Sequence, residues 1–177
     1  MHDTKHAFGS AMHTLMAKIP FTRITVGDIC EACGMSRKSF YYHFRDKYEL
    51  LGWIFETEFV LPAKQATFSS LWDFVHALCE YLFANRAFYL NAFTVCGQNA
   101  FAEQFYLLLR PVAAPFFLPK YEANAGKSPF FESYYLDAFF CSLLRWLHAS
   151  PILSPAEYVT ALKDVATHTA LNIECFT

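Results

Sequence analysis

Apolar residues recur along this chain at the spacing of an α-helix. The first stripe consists of Phe8, Met12, Leu15, Met16 and Ile19. These positions follow one another at i, i+4, i+7, i+8 and i+11, so they share one helical face. Pro20 comes next and is expected to stop the helix, because proline has no backbone N–H to donate. A longer stripe consists of Leu136, Phe139, Phe140, Leu143, Leu144 and Leu147.

Helix boundaries are marked by capping patterns. Thr25 and Asp28, three residues apart, match a capping box at the start of a short helix that Gly34 would end. Ser154 and Glu157 form the same pattern, with proline at the first helical position between them. Further N-caps are expected at Ser36, Asp46 and Ser70.

The remaining segments also favour helices over strands. A helix that begins near Gln98 is expected to kink or end at the prolines 111, 115 and 119, and residues 123–128 are typical of a loop. Strand-like alternation is nearly absent. The pattern therefore predicts an all-α fold of roughly nine helices.

Composition narrows the class of protein. Hydrophobic residues make up 55% and aromatic residues 19% of the 177 residues, which excludes a disordered chain. A membrane-spanning helix needs about 20 mostly apolar residues, and charged residues or prolines interrupt the best runs, 101–118 and 130–147. No apolar signal-peptide core follows the N-terminus. We expect a cytoplasmic protein without a membrane partner, with its six cysteines mostly buried as free thiols.

Residues 24–51 carry the strongest functional signal. They predict two short helices joined by a tight turn at Gly34, which is the pattern of a helix-turn-helix that places its second helix in the major groove of DNA. Charge agrees with this interpretation. Residues 1–50 hold seven Lys/Arg and five Asp/Glu, whereas residues 51–177 hold seven and eleven, so a basic N-terminal part precedes an acidic remainder.

The second helix and its borders supply the candidate DNA contacts. Arg37 and Lys38 lie at its start and suit the acceptor atoms of guanine. Thr25, at the start of the first helix, and Lys47, in the first turn of the helix that follows, suit phosphate. The complete predicted set is Thr25, Ser36, Arg37, Lys38, Tyr41, Tyr42, His43 and Lys47.

This segment resembles the DNA-binding region of the TetR/AcrR family of transcription regulators. The residues that carry the resemblance are Ile24–Val26, Asp28–Ile29, Gly34–Ser36, Phe40–Phe44, Lys47 and Leu50–Leu51. The resemblance implies that Tyr41 and Lys47 hold the phosphate backbone, that Phe44 and Ile29 are core, and that residues 36–38 face the groove. It also implies a helix-turn-helix domain at residues 1–48 and a helical ligand-binding and dimerisation domain at residues 49–177.

The later part resembles, more loosely, the C-terminal domain of the Firmicutes-type, DhaS-like subgroup, through residues 139–147 and 154–157. The family resemblance implies a homodimer in which the last two helices pair and bury the stripe of residues 136–147. It also implies control by a small-molecule effector, with a protein co-regulator as the alternative. Polar groups for an aromatic effector cavity could come from His76, Tyr81, Asn91, Thr94, Gln98 and Tyr106.

Catalytic and metal-binding interpretations are weaker. Cys30 and Cys33 form a C-x-x-C pair, but no second pair lies at zinc-site spacing, so packing of the helix-turn-helix is favoured. His2 and His6 lie four residues apart near the chain end, where a solvated pair is expected. No nucleophile–base set or phosphate-binding glycine loop occurs. The sequence therefore predicts a regulator without catalytic residues, metal or cofactor, and a small helical enzyme using Cys or His is a remote alternative.

Overall fold

The structure, a computed structural model, describes residues 2–94, 101–121 and 129–173, and these residues form helices and short connections without a strand. The helices are α1 (His2–Met16), α2 (Val26–Cys33), α3 (Arg37–His43), α4 (Lys47–Phe55), α5 (Leu61–Gln65), α6 (Leu71–Ala84), α7 (Arg86–Ala92), α8 (Phe101–Tyr121), α9 (Pro129–His148) and α10 (Pro155–Ile173). A 3₁₀ turn, Phe21–Arg23, precedes α2, and a π-helical segment, Glu56–Val60, joins α4 to α5. The predicted all-α fold is confirmed.

The described residues fall into two compact units, one within Met1–Thr67 and Asn85–Val112, the other within Phe68–Ala84 and Ala113–Thr177. The predicted DNA-binding domain, residues 1–48, lies inside the first unit, and its boundary at residue 48 stays a prediction. None of the described helices combines the length and apolar character that a membrane span requires.

Aromatic side chains fill the first unit. Phe8 of α1 meets the rings of Phe40 and Phe44 edge-on, with centroids 5.2 and 6.3 Å away, and all three side chains are buried. A second cluster surrounds Phe55 at the end of α4, whose ring lies 4.6 Å from that of Phe105 and 5.9 Å from that of Tyr89. Phe8 with Phe40 and Phe44, and Phe55 with Tyr89, meet edge to face, which is a favourable arrangement, and the Phe55 and Phe105 rings are tilted. Both clusters therefore help to fix the positions of the helices.

The second unit has its own interior. Trp146 of α9 stacks on Tyr158 of α10 with centroids 4.6 Å apart, and its indole N–H donates to the Leu153 carbonyl oxygen at 2.9 Å. Leu143 and Leu147 are fully buried within the chain. The prediction that the stripe of residues 136–147 is reserved for a dimer interface is therefore wrong for these leucines, because the helix faces inward within its own unit.

One of the two outcomes predicted for the proline-rich stretch, the end of the helix, is wrong. Helix α8 continues to Tyr121 through Pro111, Pro115 and Pro119 and does not end at them. Prolines four residues apart share one face of a helix. Pro111 is exposed and the side chain of Leu107 is 65% exposed, so the carbonyl that Pro111 leaves without an N–H donor lies on a solvated face. The predicted loop at 123–128 lies outside the described residues.

Candidate nucleic-acid interface

Helix α2 begins with the capping box that the sequence predicts. The Thr25 hydroxyl accepts from the Asp28 N–H at 3.2 Å, and the Asp28 carboxylate accepts from the Thr25 N–H at 2.7 Å. These hydrogen bonds, first the one from the backbone of Thr25 and then the one from its hydroxyl, lower the pKa of Asp28 below its ordinary value of 3.8. The hydroxyl of Thr25, a predicted phosphate contact, also donates to that carboxylate at 2.7 Å, so its donor is already used.

The turn between α2 and α3 depends on Gly34. Its φ is 68° and its ψ is 24°, a left-handed conformation that glycine adopts without steric cost. The Gly34 N–H bonds the Glu31 carbonyl oxygen, and the Met35 N–H bonds that of Cys30, which is the Schellman pattern of a helix C-terminus. The three residues 34–36 therefore reverse the chain between two short helices.

Helix α3 has one buried and one exposed side. The Ser36 hydroxyl oxygen caps it by accepting from the Ser39 N–H at 3.1 Å. Phe40 and the following Phe44 are buried against α1, whereas Tyr41 and Tyr42 are 58% and 73% exposed. The two large tyrosine rings therefore form an exposed surface that does not take part in the core.

The exposed side of α3 is cationic. Arg37 and Lys38 are both exposed in its first turn, His43 is half-buried in its last, and the segment 34–43 contains no acidic residue. The sequence-predicted residues from Ser36 to His43 are thus brought together on one short helix. A helix that presents cations and tyrosine hydroxyls from a rigid aromatic base has the chemistry that phosphate and base-edge recognition needs.

Arg37 also lies against α2. A Cβ atom on Gly27 would be 2.6 Å from Nη2 of Arg37, so glycine at this position allows the guanidinium to approach the first turn of α2. The positive charge of Arg37 contributes, after the hydrogen bonds from Thr25, to the lowered pKa of Asp28. The sequence offered no signal for the close approach at Gly27.

Lys47 has partners that the sequence did not predict. Its ammonium donates to three backbone carbonyl oxygens, those of Phe21 at 2.9 Å, Thr22 at 3.2 Å and Ile24 at 2.6 Å. It also lies 4.7 Å from the centroid of the Phe21 ring. Burial lowers the pKa of Lys47, against the opposing effect of Asp28. All three N–H donors of this ammonium are therefore occupied within the protein.

Asn91 of α7 binds the same connection. Its amide N–H groups donate to the carbonyl oxygens of Met16 and Ile19, both at 3.0 Å, and its amide oxygen accepts from the Phe21 N–H at 2.7 Å. Sequence reasoning placed Asn91 among the polar groups of an effector cavity; its whole amide is used here instead. No local pattern could reveal this, because the partners are 70 to 75 residues away.

Two other residues predicted to line the cavity make local contacts. The Thr94 hydroxyl donates to the Asn91 carbonyl oxygen at 2.7 Å, and His76 lies 3.6 Å from the Glu80 carboxylate on its own helix. Gln98 lies outside the described residues.

The C-x-x-C pair packs within the helix-turn-helix, which is the interpretation that the sequence favours over a zinc site. Cys30 is buried, burial raises the pKa of its thiol, and the Cys33 thiol lies 3.2 Å from the Ile29 carbonyl oxygen. A buried, protonated thiol is a poor nucleophile and a poor metal ligand. In the part of the chain that the structure describes, no three His, Cys, Asp or Glu side chains cluster as metal ligands would.

An N-terminal helix-turn-helix with a cationic second helix, joined to a larger helical body, defines a class of protein: the helical transcription regulators. Comparison with known proteins agrees. Residues 10–52 match the family model for bacterial regulatory proteins of the tetR family. Residues 70–168, more than half of the chain, match the model for a transcriptional regulator C-terminal region.

Individual relatives point the same way. The HTH-type dhaKLM operon transcriptional activator DhaS of Lactococcus lactis subsp. lactis (strain IL1403) is 30% identical over 106 residues, 59% of this chain and 55% of that protein. The chain thus matches about half the length of this relative.

Two solved structures share the fold. A dihydroxyacetone kinase operon activator DhaS has a TM-score of 0.69 at 19% identity, over 97% of this chain and 98% of the other. A TetR transcriptional regulator from Streptococcus agalactiae 2603V has a TM-score of 0.67 at 20% identity, over 90% of this chain and 93% of the other.

The chain belongs to the TetR family of bacterial regulatory proteins. The predicted resemblance, including that to the DhaS-like subgroup, is confirmed. Family membership places the chain among regulators and not among enzymes, as the sequence predicted.

Proposed function

We propose that this protein is a sequence-specific regulator that binds operator DNA through the exposed face of α3. The observation that carries the proposal is the position of Arg37 and Lys38, both exposed at the start of the second helix of a helix-turn-helix, on a segment without acidic residues. In proteins of this architecture that end of the second helix meets the base edges.

Within the proposal, each side chain has a role set by its reach. Arg37 and Lys38 bind guanine acceptors, and Ser36 bonds a nearby base or phosphate through its hydroxyl proton. Tyr41, Tyr42 and His43 bind the phosphate backbone on either side of the groove. Thr25 lies at the border of this surface, with its hydroxyl already engaged.

A homodimer is part of the proposal. Two copies related by a two-fold axis would read half-sites about 34–36 Å apart, or a multiple of this spacing. Support comes from α10, where Val165 is 65% exposed and the neighbouring Ala166 is exposed as well. Exposed apolar side chains on a C-terminal helix suit pairing with a second copy.

Control of DNA binding is assigned to the helical body, residues 49–177, with DNA binding in residues 1–48. We propose a small-molecule effector that changes the fraction of molecules whose helix-turn-helix domain is able to bind DNA. The alternative is a protein co-regulator. Similarity to a protein named as an operon activator makes activation as well as repression an outcome to be tested. Acting on chromosomal DNA, the protein would work in the cytoplasm.

The test is fluorescence anisotropy of labelled duplex DNA from the intergenic region beside the gene, titrated with protein across a salt series. We expect tight binding that weakens steeply with salt and that random duplex competes poorly. Equal affinity for operator and random duplex would remove the proposed function. Release of bound DNA by small molecules, or only by an added protein, then separates the two forms of control.

A further inference from the structure

The connection between α1 and α2 is held by two side chains from distant parts of the chain. The Phe21 N–H bonds the amide oxygen of Asn91 at 2.7 Å, and the Phe21 carbonyl oxygen bonds the ammonium of Lys47 at 2.9 Å. The phenylalanine ring is fully buried and lies under the same ammonium. One peptide segment is therefore bonded on its donor side from α7 and on its acceptor side from α4.

Every N–H donor of the two side chains bonds a backbone carbonyl oxygen between Met16 and Ile24. Lys47 has three donors and three carbonyl partners, the last of which, Ile24, directly precedes the N-cap residue of α2. Asn91 uses both amide N–H groups and its oxygen. A lysine has no further N–H to offer and no acceptor at all. A phosphate contact by Lys47 would need one of these carbonyl bonds to break.

The position of the recognition helix depends on this segment. Ile24 leads into the capping box of α2, and the Schellman turn at Gly34 carries the orientation of α2 into α3. Contact between α1 and α7 is reinforced nearby, because the ring of His13 stacks on that of Phe88 with centroids 4.1 Å apart. Fixing residues 21–24 thus fixes where α2 begins, and with it where α3 lies.

We propose that Lys47 and Asn91 are positioning residues for DNA binding, which clamp the segment Phe21–Ile24 and do not themselves contact DNA. This inference rests on the proposed function, and it replaces the phosphate contact that the family resemblance implies for Lys47. Without the clamp, the helix-turn-helix domain samples positions in which α3 does not fit the major groove of DNA. The apparent affinity is then the intrinsic affinity multiplied by the fraction of molecules that remain competent to bind DNA, and this factor is the same at every salt concentration.

Salt dependence separates positioning from phosphate contact. In the full-length protein, Lys47→Met keeps the stem and removes the ammonium, and Lys38→Met makes the same change on exposed α3. We expect Lys47→Met to weaken operator binding about tenfold with an unchanged slope of log affinity against log salt. Lys38→Met removes a cation that the proposed function places in the groove, where it displaces counterions, so that slope should become less steep. A slope reduced by about 0.9, the value for one phosphate, in Lys47→Met overturns the proposal.

Asn91 gives a second test that does not depend on Lys47 variants folding. Asn91→Leu removes the acceptor for the Phe21 N–H. Amide hydrogen exchange of Phe21, followed by NMR, should be slow in the wild-type protein and become fast in Asn91→Leu. Gln65→Leu serves as the control, because it removes an exposed amide side chain elsewhere in the same unit. It should leave that exchange rate unchanged. Slow exchange in Asn91→Leu overturns the clamp.

The two residues must also be coupled. Because both act on one segment, the operator affinity of Lys47→Met with Asn91→Leu should fall by less than the product of the single effects. A fully multiplicative loss contradicts a shared clamp. If the wild-type protein shows no operator preference, the proposed function fails on its own, while the exchange experiment still decides whether the clamp exists.

Discussion

At the residue scale, neighbouring side chains on α3 lie in opposite environments, one in the core and the next two in solvent. Phe40 is fully buried, and the next two residues, Tyr41 and Tyr42, are mostly exposed. Successive helical residues diverge by about 100°, so this division follows from geometry once Phe40 is anchored against Phe8. Under the proposed function, side chains on the outer face are available for recognition, and those on the inner face fix the helix in place.

Arg37 is the residue for which a base-specific effect is expected. Arg37→Ala should cost about 1–3 kcal/mol of binding free energy on the preferred operator and relax the preference at one base pair, because a bidentate contact to guanine is lost. Affinities for operator variants substituted at each position measure this effect.

Arg145→Ala, which removes an exposed arginine of α9, makes the same change of net charge outside α3 and serves as the control. If Arg37→Ala lowers the affinity for all operator variants equally, Arg37 contacts only the DNA backbone, or it acts through its close approach to α2 at Gly27.

At the element scale, each short helix is defined by its ends. Helix α2 has eight residues and α3 has seven, too few for stable helices in isolation. Both are capped by local side chains at their starts, and a left-handed glycine lies between them. Tertiary packing adds to this stability, as where Phe40 of α3 meets the Phe8 ring of α1.

The capping box of α2 makes stability depend on pH in a defined direction. The pKa of Asp28 is lowered in the folded state, so its contribution is present above its ordinary value of 3.8 and is lost as the pH falls through the folded-state value. Asp28→Asn should therefore be less stable than wild type near neutral pH, with a difference that disappears in acid. Urea unfolding between pH 2.5 and 6 measures this, roughly spanning the titration range of carboxyl groups.

Glu157→Gln provides the matched comparison. Glu157 caps α10 through the same hydrogen bonds with Ser154, which lower its pKa from the ordinary value of 4.5. Its stability difference should also disappear in acid. A pH-independent difference for either variant would mean that the carboxylate charge contributes nothing to the cap.

Gly34 should be sensitive to any residue with a Cβ atom. Gly34→Ala is expected to lower the free energy of unfolding by about 1–2 kcal/mol, the cost of left-handed backbone for an L-residue. No atom lies within 4 Å of the added Cβ, so the cost comes from the backbone alone. Gly34→Asn should cost less, since asparagine tolerates this conformation. Equal losses in the two variants, measured by urea unfolding, would point to a different cause.

At the scale of the whole molecule, charge is divided unevenly along the chain. The basic excess lies in residues 1–50 and the acidic excess in the remainder. The exposed apolar side chains of the described part include Val165 on α10, far along the chain from the basic segment. This division suits a protein that meets DNA with one part and a second copy of itself with another.

Val165→Glu should therefore weaken the proposed homodimer. Burying an unpaired carboxylate in an apolar interface is strongly unfavourable, so the mass measured by light scattering should shift towards that of one chain, 20.3 kDa. Thr167→Glu, two residues along the same helix and on a diverging face, should leave the mass at that of the dimer. A dimer that tolerates Val165→Glu would exclude this face of α10 as the interface.

What the sequence by itself determined is what depends on near neighbours. The capping boxes at Thr25 and Ser154 join residues three apart, and the buried positions of α1 and α3 repeat at helical spacing. Such interactions are decided within one or two turns, so the order of side chains is enough to predict them. The helix-turn-helix and the all-α class follow from these local signals, and the family was indicated by the resemblance of residues 24–51 to its DNA-binding region.

Only the tertiary structure decided which surface each distant residue would join. Lys47 binds carbonyl groups 23 to 26 residues away, and Asn91 binds atoms 70 to 75 residues away. Leu143 faces the interior of its own unit, and α8 passes through its three prolines. No local pattern encodes these outcomes, because they are set by the helices that pack together and by which backbone groups water can reach.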